Sequence, residues 1–162
     1  FFSFLSTCQG EVRIVPGDAR LRLELEEDHS FDVLVLDAFS SDSIPIHLLT
    51  REALELYFSK LKEDGILLFH VSNRYLELPP LLARLAQSQS PPKRAIVDHD
   101  IPSEKQEKEG KTASTWMLLA KPEPIEAMKA SDRRWSLVDA NSGPLWTDAF
   151  SNLLGVWRRE EP

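Results

Sequence analysis

Apolar and polar positions alternate along the chain in short runs that predict a succession of strands and helices. Residues 11–15 read as a short strand stopped by Pro16-Gly17. Residues 19–27 set Leu21, Leu23 and Leu25 among charges; the spacing is ambiguous, and the place between two strands favours a short helix. Residues 31–39 are apolar on both parities, the pattern of a strand covered on both faces in a parallel sheet. Thr50 can cap a helix running to Lys62, with Ala53, Leu54, Tyr57, Phe58 and Leu61 on one face. Asp64-Gly65 ends it, and residues 66–71 form the next buried strand. Residues 76–87 read as a helix with Pro79 and Pro80 in its first turn. Residues 94–97 and 115–121 are two further strands, residues 124–129 a short helix, and the tail carries Trp135, Trp146 and Trp157. Between those two strands, eight of the fourteen residues 98–111 are Asp, Glu or Lys, which predicts a solvated loop. The alternation implies an α/β fold with a doubly wound, mainly parallel sheet and right-handed crossovers.

Composition narrows the function classes. The 162 residues, 42% hydrophobic and 28% charged, suit one globular domain with a single core. A formal net charge of −7 argues against a nucleic-acid binder, which needs a basic face. The single cysteine, Cys8, forms neither an internal disulfide nor a thiolate zinc site, so nothing asks for an oxidising compartment and a cytoplasmic setting is expected. No apolar run is long enough for a membrane span, and the opening Phe-Phe-Ser-Phe-Leu lacks the basic flank of a signal peptide. The chain starts without Met on an apolar segment, and is expected to belong to something longer.

In doubly wound sheets ligands sit at the carboxyl ends of the strands, which makes three stations candidates. The first is Gly17-Asp18-Ala19-Arg20. A carboxylate on a glycine turn can accept from an exocyclic amine while the next backbone N–H meets a ring nitrogen; it can equally be a helix N-cap. The second is Asp37, which follows four apolar residues and precedes Asp42 by five positions. Such a pair can bind an ammonium and remove its proton, or can cap a helix or turn. The third is His70-Val71-Ser72-Asn73, where a histidine on an apolar strand is expected to be a satisfied core residue.

These residues carry a resemblance. Gly17-Asp18-Ala19-Arg20-Leu21, the block from Asp32 through Asp37-Ala38-Phe39-Ser40-Ser41-Asp42, and Ile44-Pro45-Ile46-His47-Leu48-Leu49-Thr50-Arg51-Glu52-Ala53 resemble the spermidine synthase family. The match is closest to the branch in which the domain is often fused behind a multi-spanning membrane part. Phe69-His70-Val71-Ser72-Asn73-Arg74-Tyr75-Leu76 and Pro144-Leu145-Trp146-Thr147-Asp148 resemble that branch too, so the likeness spans nearly the whole chain. It implies the class I S-adenosylmethionine-dependent methyltransferase-like (Rossmann-like) fold, and transfer of an aminopropyl group from decarboxylated S-adenosylmethionine to a small-molecule amine. By that match Asp18 holds the adenine amino group and Ala19 the neighbouring ring edge. Asp37 deprotonates the attacking amine, and Asp42 falls near a second, amine-binding carboxylate, on a loop longer than the short Asp-Ser-Ser-Asp form. The donor is a co-substrate; the chemistry requires no permanently bound cofactor and no metal, because a sulfonium is already an activated leaving group and only the ammonium must lose a proton.

The departures set further expectations. No G-x-G occurs, the six glycines do not cluster, and the ribose-binding acid of the family is absent. Residues 1–162 therefore resemble the last two-thirds of the catalytic domain, a single partial domain whose sheet lacks its first two strands, and activity alone is not expected. The strand at residues 31–36 would then be an open edge, either paired by residues 12–15 or joined to a second copy, with a homo-oligomer favoured. Ala149 stands where relatives often show a second acid. Two other readings stay open: a non-catalytic polyamine or nucleoside sensor attached to a membrane part, and a class I methyltransferase of unknown acceptor.

Overall fold

Each apolar run becomes a strand or a buried helix face wherever another element is present to cover it. The computed structural model describes residues 3, 7–38, 45–73, 75–140 and 145–157. Asp18 caps α1 (Ala19–Glu24), which precedes β1 (Phe31–Leu36). A 3-10 turn, Ile46–Leu48, leads into α2 (Arg51–Lys60), whose Ala53 N–H donates to the capping Thr50 hydroxyl at 3.1 Å. The chain then passes directly into β2 (Leu61–His70). There follow α3 (Pro79–Gln87), β3 (Arg94–Asp100), α4 (Glu104–Lys108), β4 (Ser114–Ala120), α5 (Pro122–Ser131) and the two-residue β5 (Ser136–Leu137). Pro79 and Pro80 open α3, where their missing N–H groups cost nothing.

The strands form one sheet in the order β1-β2-β4-β3-β5. β1 and β2 are parallel, β4 is antiparallel to both β2 and β3, and β5 is antiparallel to β3. Strands β1, β2 and β3 thus share one direction, and β4 slots between two of them in reverse. The reversal follows from the connection before it. The five residues of α4 bury nothing, so this segment makes no crossover layer, and the chain turns back to pair antiparallel instead. Within the charged segment, residues 98–100 extend β3 and residues 104–108 form α4, closed by a Ser103–Gln106 capping box.

Helices α2 and α3 cover one face of the sheet, where Leu67, Phe69, Met117 and Leu119 meet Leu54, Tyr57, Leu82 and Leu85 in the main core. Trp146 from the tail is fully buried there. Helix α5 covers part of the other face, with Ile125 over Ile96, Leu118 and Ala120.

Three further expectations change. Residues 11–15 do not form a strand; Val12, Ile14 and Val15 are exposed and join no ladder. A short apolar run becomes a strand only when a neighbour takes its hydrogen bonds, and β1 pairs with β2 alone among the described residues. Second, β1 is covered on one face only. Leu34 and Leu36 pack on the main core, while Val33 and Val35 on the opposite face remain 46% and 54% exposed, beyond the cover that α5 gives β2, β3 and β4. Third, β2 starts at Leu61 rather than at residue 66, because Leu61 already pairs with Phe31; the ladder skips residues 62–65 and resumes at Ile66.

The open edge of β1, flanked by exposed valines, is a template for another strand. Self-association in sedimentation at micromolar concentration is the expected result. A monodisperse monomer with a cooperative melt would contradict it.

Candidate functional site

Register builds the centre of the site. Leu36 on β1 lies opposite Phe69 on β2, so the next rung of this parallel pair brings Asp37 beside His70. On the other side of β2, His70 lies opposite Trp116, which in turn lies opposite Asp98 on β3. Cross-strand neighbours point to the same face. Asp37, His70, Trp116 and Asp98 therefore form one row across the carboxyl end of β1, β2 and β3, on the face that α5 covers in part.

Contacts along the row are short. Asp37 Oδ1 lies 2.7 Å from His70 Nδ1, and the His70 ring stacks on Trp116 with centroids 4.7 Å apart and planes 19° apart. His70 Nε2 lies 2.7 Å from Ser72 Oγ, which accepts from the Thr115 backbone N–H at 2.9 Å. The Asp37 side chain stays 61% exposed, and that of His70 24%. Asp37 is thus where the sequence put it, just past a strand end and open to solvent. His70 departs from expectation: it is no core histidine but the fixed partner of Asp37. Its signal in the sequence was Ser72 two residues on, since side chains two apart on an extended chain share a face.

Asp18 belongs to a second cluster. Its Oδ1 accepts from Leu21 N–H at 3.1 Å, which is the N-cap geometry, and its Oδ2 lies 3.1 Å from His47 Nε2. The Leu21 N–H first, then His47, hold the carboxyl below its usual range. Ala19 is the first residue of α1. Since residues 11–15 form no strand, this turn is held by side chains rather than by a sheet. Arg20 forks onto both oxygens of Asp148 at 2.7 Å each and donates to His47 O at 2.9 Å. The Thr50 hydroxyl donates to Asp148 at 2.7 Å, and Asp148 N–H donates to Glu52 at 3.0 Å. The tail is thereby strapped across the amino end of α2 and onto α1. Asp42 lies outside the described residues.

The strap has a pH signature. The Arg20 fork, helped by Thr50, pulls the Asp148 carboxyl down to about 2. A carboxyl depressed on folding stabilises the fold above its unfolded value near 4, and that stabilisation is lost as pH falls toward 2. With Asp148 about half exposed, screening limits its size to roughly 1 kcal/mol or less. Asp148→Asn should therefore be less stable than the parent at pH 5 and converge with it near pH 2. A gap that is constant across that window would contradict the assignment.

A cavity of about 750 Å³ lies at the opposite end of β2, among His29, Phe58, Lys62, Gln89, Pro91 and Lys93. Its Lys62 is paired with Asp32, and Lys93 donates to Pro91 O and sits over the Phe58 ring. It offers no exposed carboxylate–histidine pair like that of Asp37 and His70.

No family model and no curated protein sequence matches the chain. Solved structures do. A probable spermidine synthase from Corynebacterium glutamicum ATCC 13032 is 16% identical with a TM-score of 0.55, over 85% of this chain and 54% of that one. Spermidine synthase from Thermotoga maritima is 17% identical with a TM-score of 0.50, over 85% of this chain and 46% of that one. The chain spans about half the length of these structures. At such identities the likeness establishes the fold and not the reaction. The chain has the α/β, Rossmann-like and methyltransferase-like fold expected from its sequence.

Proposed function

We propose that this chain supplies the acceptor side of an aminopropyltransferase, which moves the aminopropyl group of decarboxylated S-adenosylmethionine to a small amine. The observation that carries the reading is Asp37, an exposed carboxylate past the end of β1 with one oxygen anchored by His70 and the other without a hydrogen bond among the described residues. In the proposed step the amine nitrogen attacks the aminopropyl carbon bonded to the sulfonium. A C–N bond forms, the C–S bond breaks, and its electron pair stays on sulfur as a neutral thioether. The amine proton passes to Asp37 Oδ2. The chain's own task is to bind the ammonium, take a proton from it and align the lone pair so freed, which is positioning together with general-base catalysis. Asp42, five residues on, is proposed as a second anchor for the amine.

Asp18 and Ala19 are proposed to meet the adenine edge of the donor. Two of the carboxylate's lone-pair sites serve the helix cap and His47, which leaves capacity for an exocyclic amine. Asp18→Ser keeps an N-cap acceptor and removes the carboxylate. It should weaken binding of the thioadenosine product by roughly 0.5–1.5 kcal/mol in calorimetry on the full-length gene product. Unchanged affinity would make Asp18 a helix cap only. Among the described residues no helix is long and apolar enough to cross a membrane, so the proposed amine site does not lie in a spanning helix of this segment.

A further inference from the structure

We infer that His70 is a positioning residue that aims Asp37 through a directed chain of hydrogen bonds, running from the Thr115 backbone N–H through Ser72 and His70 to Asp37. The inference rests on the reading of Asp37 as the proton acceptor, and adds a residue to that site.

The direction of the chain follows from its two ends, the Thr115 N–H, which can only donate, and the Asp37 carboxylate, which can only accept. A backbone N–H can only donate, so Thr115 N–H donates to Ser72 Oγ at 2.9 Å. The hydroxyl hydrogen of Ser72 is then free to point at His70 Nε2, 2.7 Å away, which accepts it. A neutral imidazole that accepts at Nε2 carries its hydrogen on Nδ1, and Nδ1 faces Asp37 Oδ1 at 2.7 Å. With a carboxylate that can only accept at Nδ1 and a hydroxyl able to donate at Nε2, the neutral imidazole is held in the Nδ1–H tautomer.

Three further features keep the ring in place. His70 ends β2 opposite Trp116 on β4, and the next residue, Val71, donates to Thr115 O at 2.8 Å; the His70 ring lies flat on Trp116; and Ser72 is tethered by β4's own backbone. Asp37, by contrast, sits past the end of β1, where the ladder no longer restrains it. A base on a loop gains little from being near its substrate unless its lone pair is aimed, and misplacement by about 1 Å can cost on the order of a hundredfold in rate. With Oδ1 occupied by the histidine, Oδ2 becomes the atom presented to an incoming amine.

The same three side chains have the order of a carboxylate–imidazole–hydroxyl nucleophile set. The Thr115 donor argues for the positioning role instead, because it occupies one of the hydroxyl's two lone pairs and ties Ser72 to the backbone of β4. Ser72 is also only partly exposed.

The test combines a spectroscopic and a kinetic readout on the full-length gene product. With 15N-labelled histidine, the imidazole resonances assigned by loss in His70→Gln should report the Nδ1–H tautomer. Ser72→Ala should weaken that tautomer preference, leaving Asp37 alone to favour it, without unfolding the protein. In turnover, His70→Ala should lower kcat about tenfold or more with the donor KM unchanged, and His70→Asn, whose amide N–H can replace Nδ1–H, should recover most of the loss. An Nε2–H tautomer for His70 overturns the inference, and so does a covalent fluorophosphonate adduct on Ser72. If Asp37→Asn abolishes turnover while His70→Ala retains it, the positioning role fails and the base assignment stands. If the protein transfers no aminopropyl group at all, the functional reading fails, and the tautomer measurement alone decides the hydrogen-bond chain.

Discussion

Asp37→Asn is expected to lower turnover in the full-length gene product by about two orders of magnitude or more, the usual range for loss of a general base. The substitution keeps the shape and can keep an oxygen facing His70 Nδ1, so the site is not expected to collapse; what disappears is the charge proposed to hold an ammonium and take its proton. Binding of the thioadenosine product should change much less, because the proposed adenine contacts are at Asp18 and Ala19 in the other cluster. Steady-state kinetics with calorimetry on the same samples separates the two effects. Turnover within threefold of the parent would remove Asp37 from the mechanism.

The largest effect on stability is expected at Trp146. It is 1% exposed in the main core, and its backbone oxygen accepts from Arg51 N–H at 2.9 Å. Two residues later Asp148 meets Arg20 and Thr50, so the indole is the anchor that holds the strap on α2. Trp146→Ala is expected to leave a large cavity in the main core, at a cost of about 3–5 kcal/mol. For a chain of this size that lowers Tm by roughly 10 °C or more. Thermal denaturation followed by circular dichroism checks it; a fall of less than about 3 °C would mean that the tail is not part of the core.

What was legible in the sequence is local. The Thr50 cap, the paired prolines opening α3 and the apolar runs of β2, β3 and β4 each announce themselves within a few residues, and the structure has them within a few positions. Asp37 was legible for the same reason, since a carboxylate ending an apolar strand marks the carboxyl edge of a sheet. The rest depends on partners distant in the chain. Nothing within residues 114–120 says that the strand runs antiparallel; that is decided by the connection before it, which buries no apolar face. The strand pattern at residues 11–15 was locally sound and failed for want of a neighbour. Arg20 and Asp148 stand 128 positions apart, and neither residue alone signals the fork that joins them. The pairing of His70 with Asp37 needs the register of β1 on β2, which follows from packing, not from composition.

The central claim is that the carboxylate past β1 serves the transfer of an aminopropyl group. Its most direct measurement is product analysis by mass spectrometry, with the full-length gene product, decarboxylated S-adenosylmethionine and a panel of diamines. The expected product is an amine that has gained one aminopropyl group, with an equal amount of methylthioadenosine, and loss of both in Asp37→Asn. Tight amine binding without product, or methylation of the amine when S-adenosylmethionine replaces the decarboxylated donor, would contradict it.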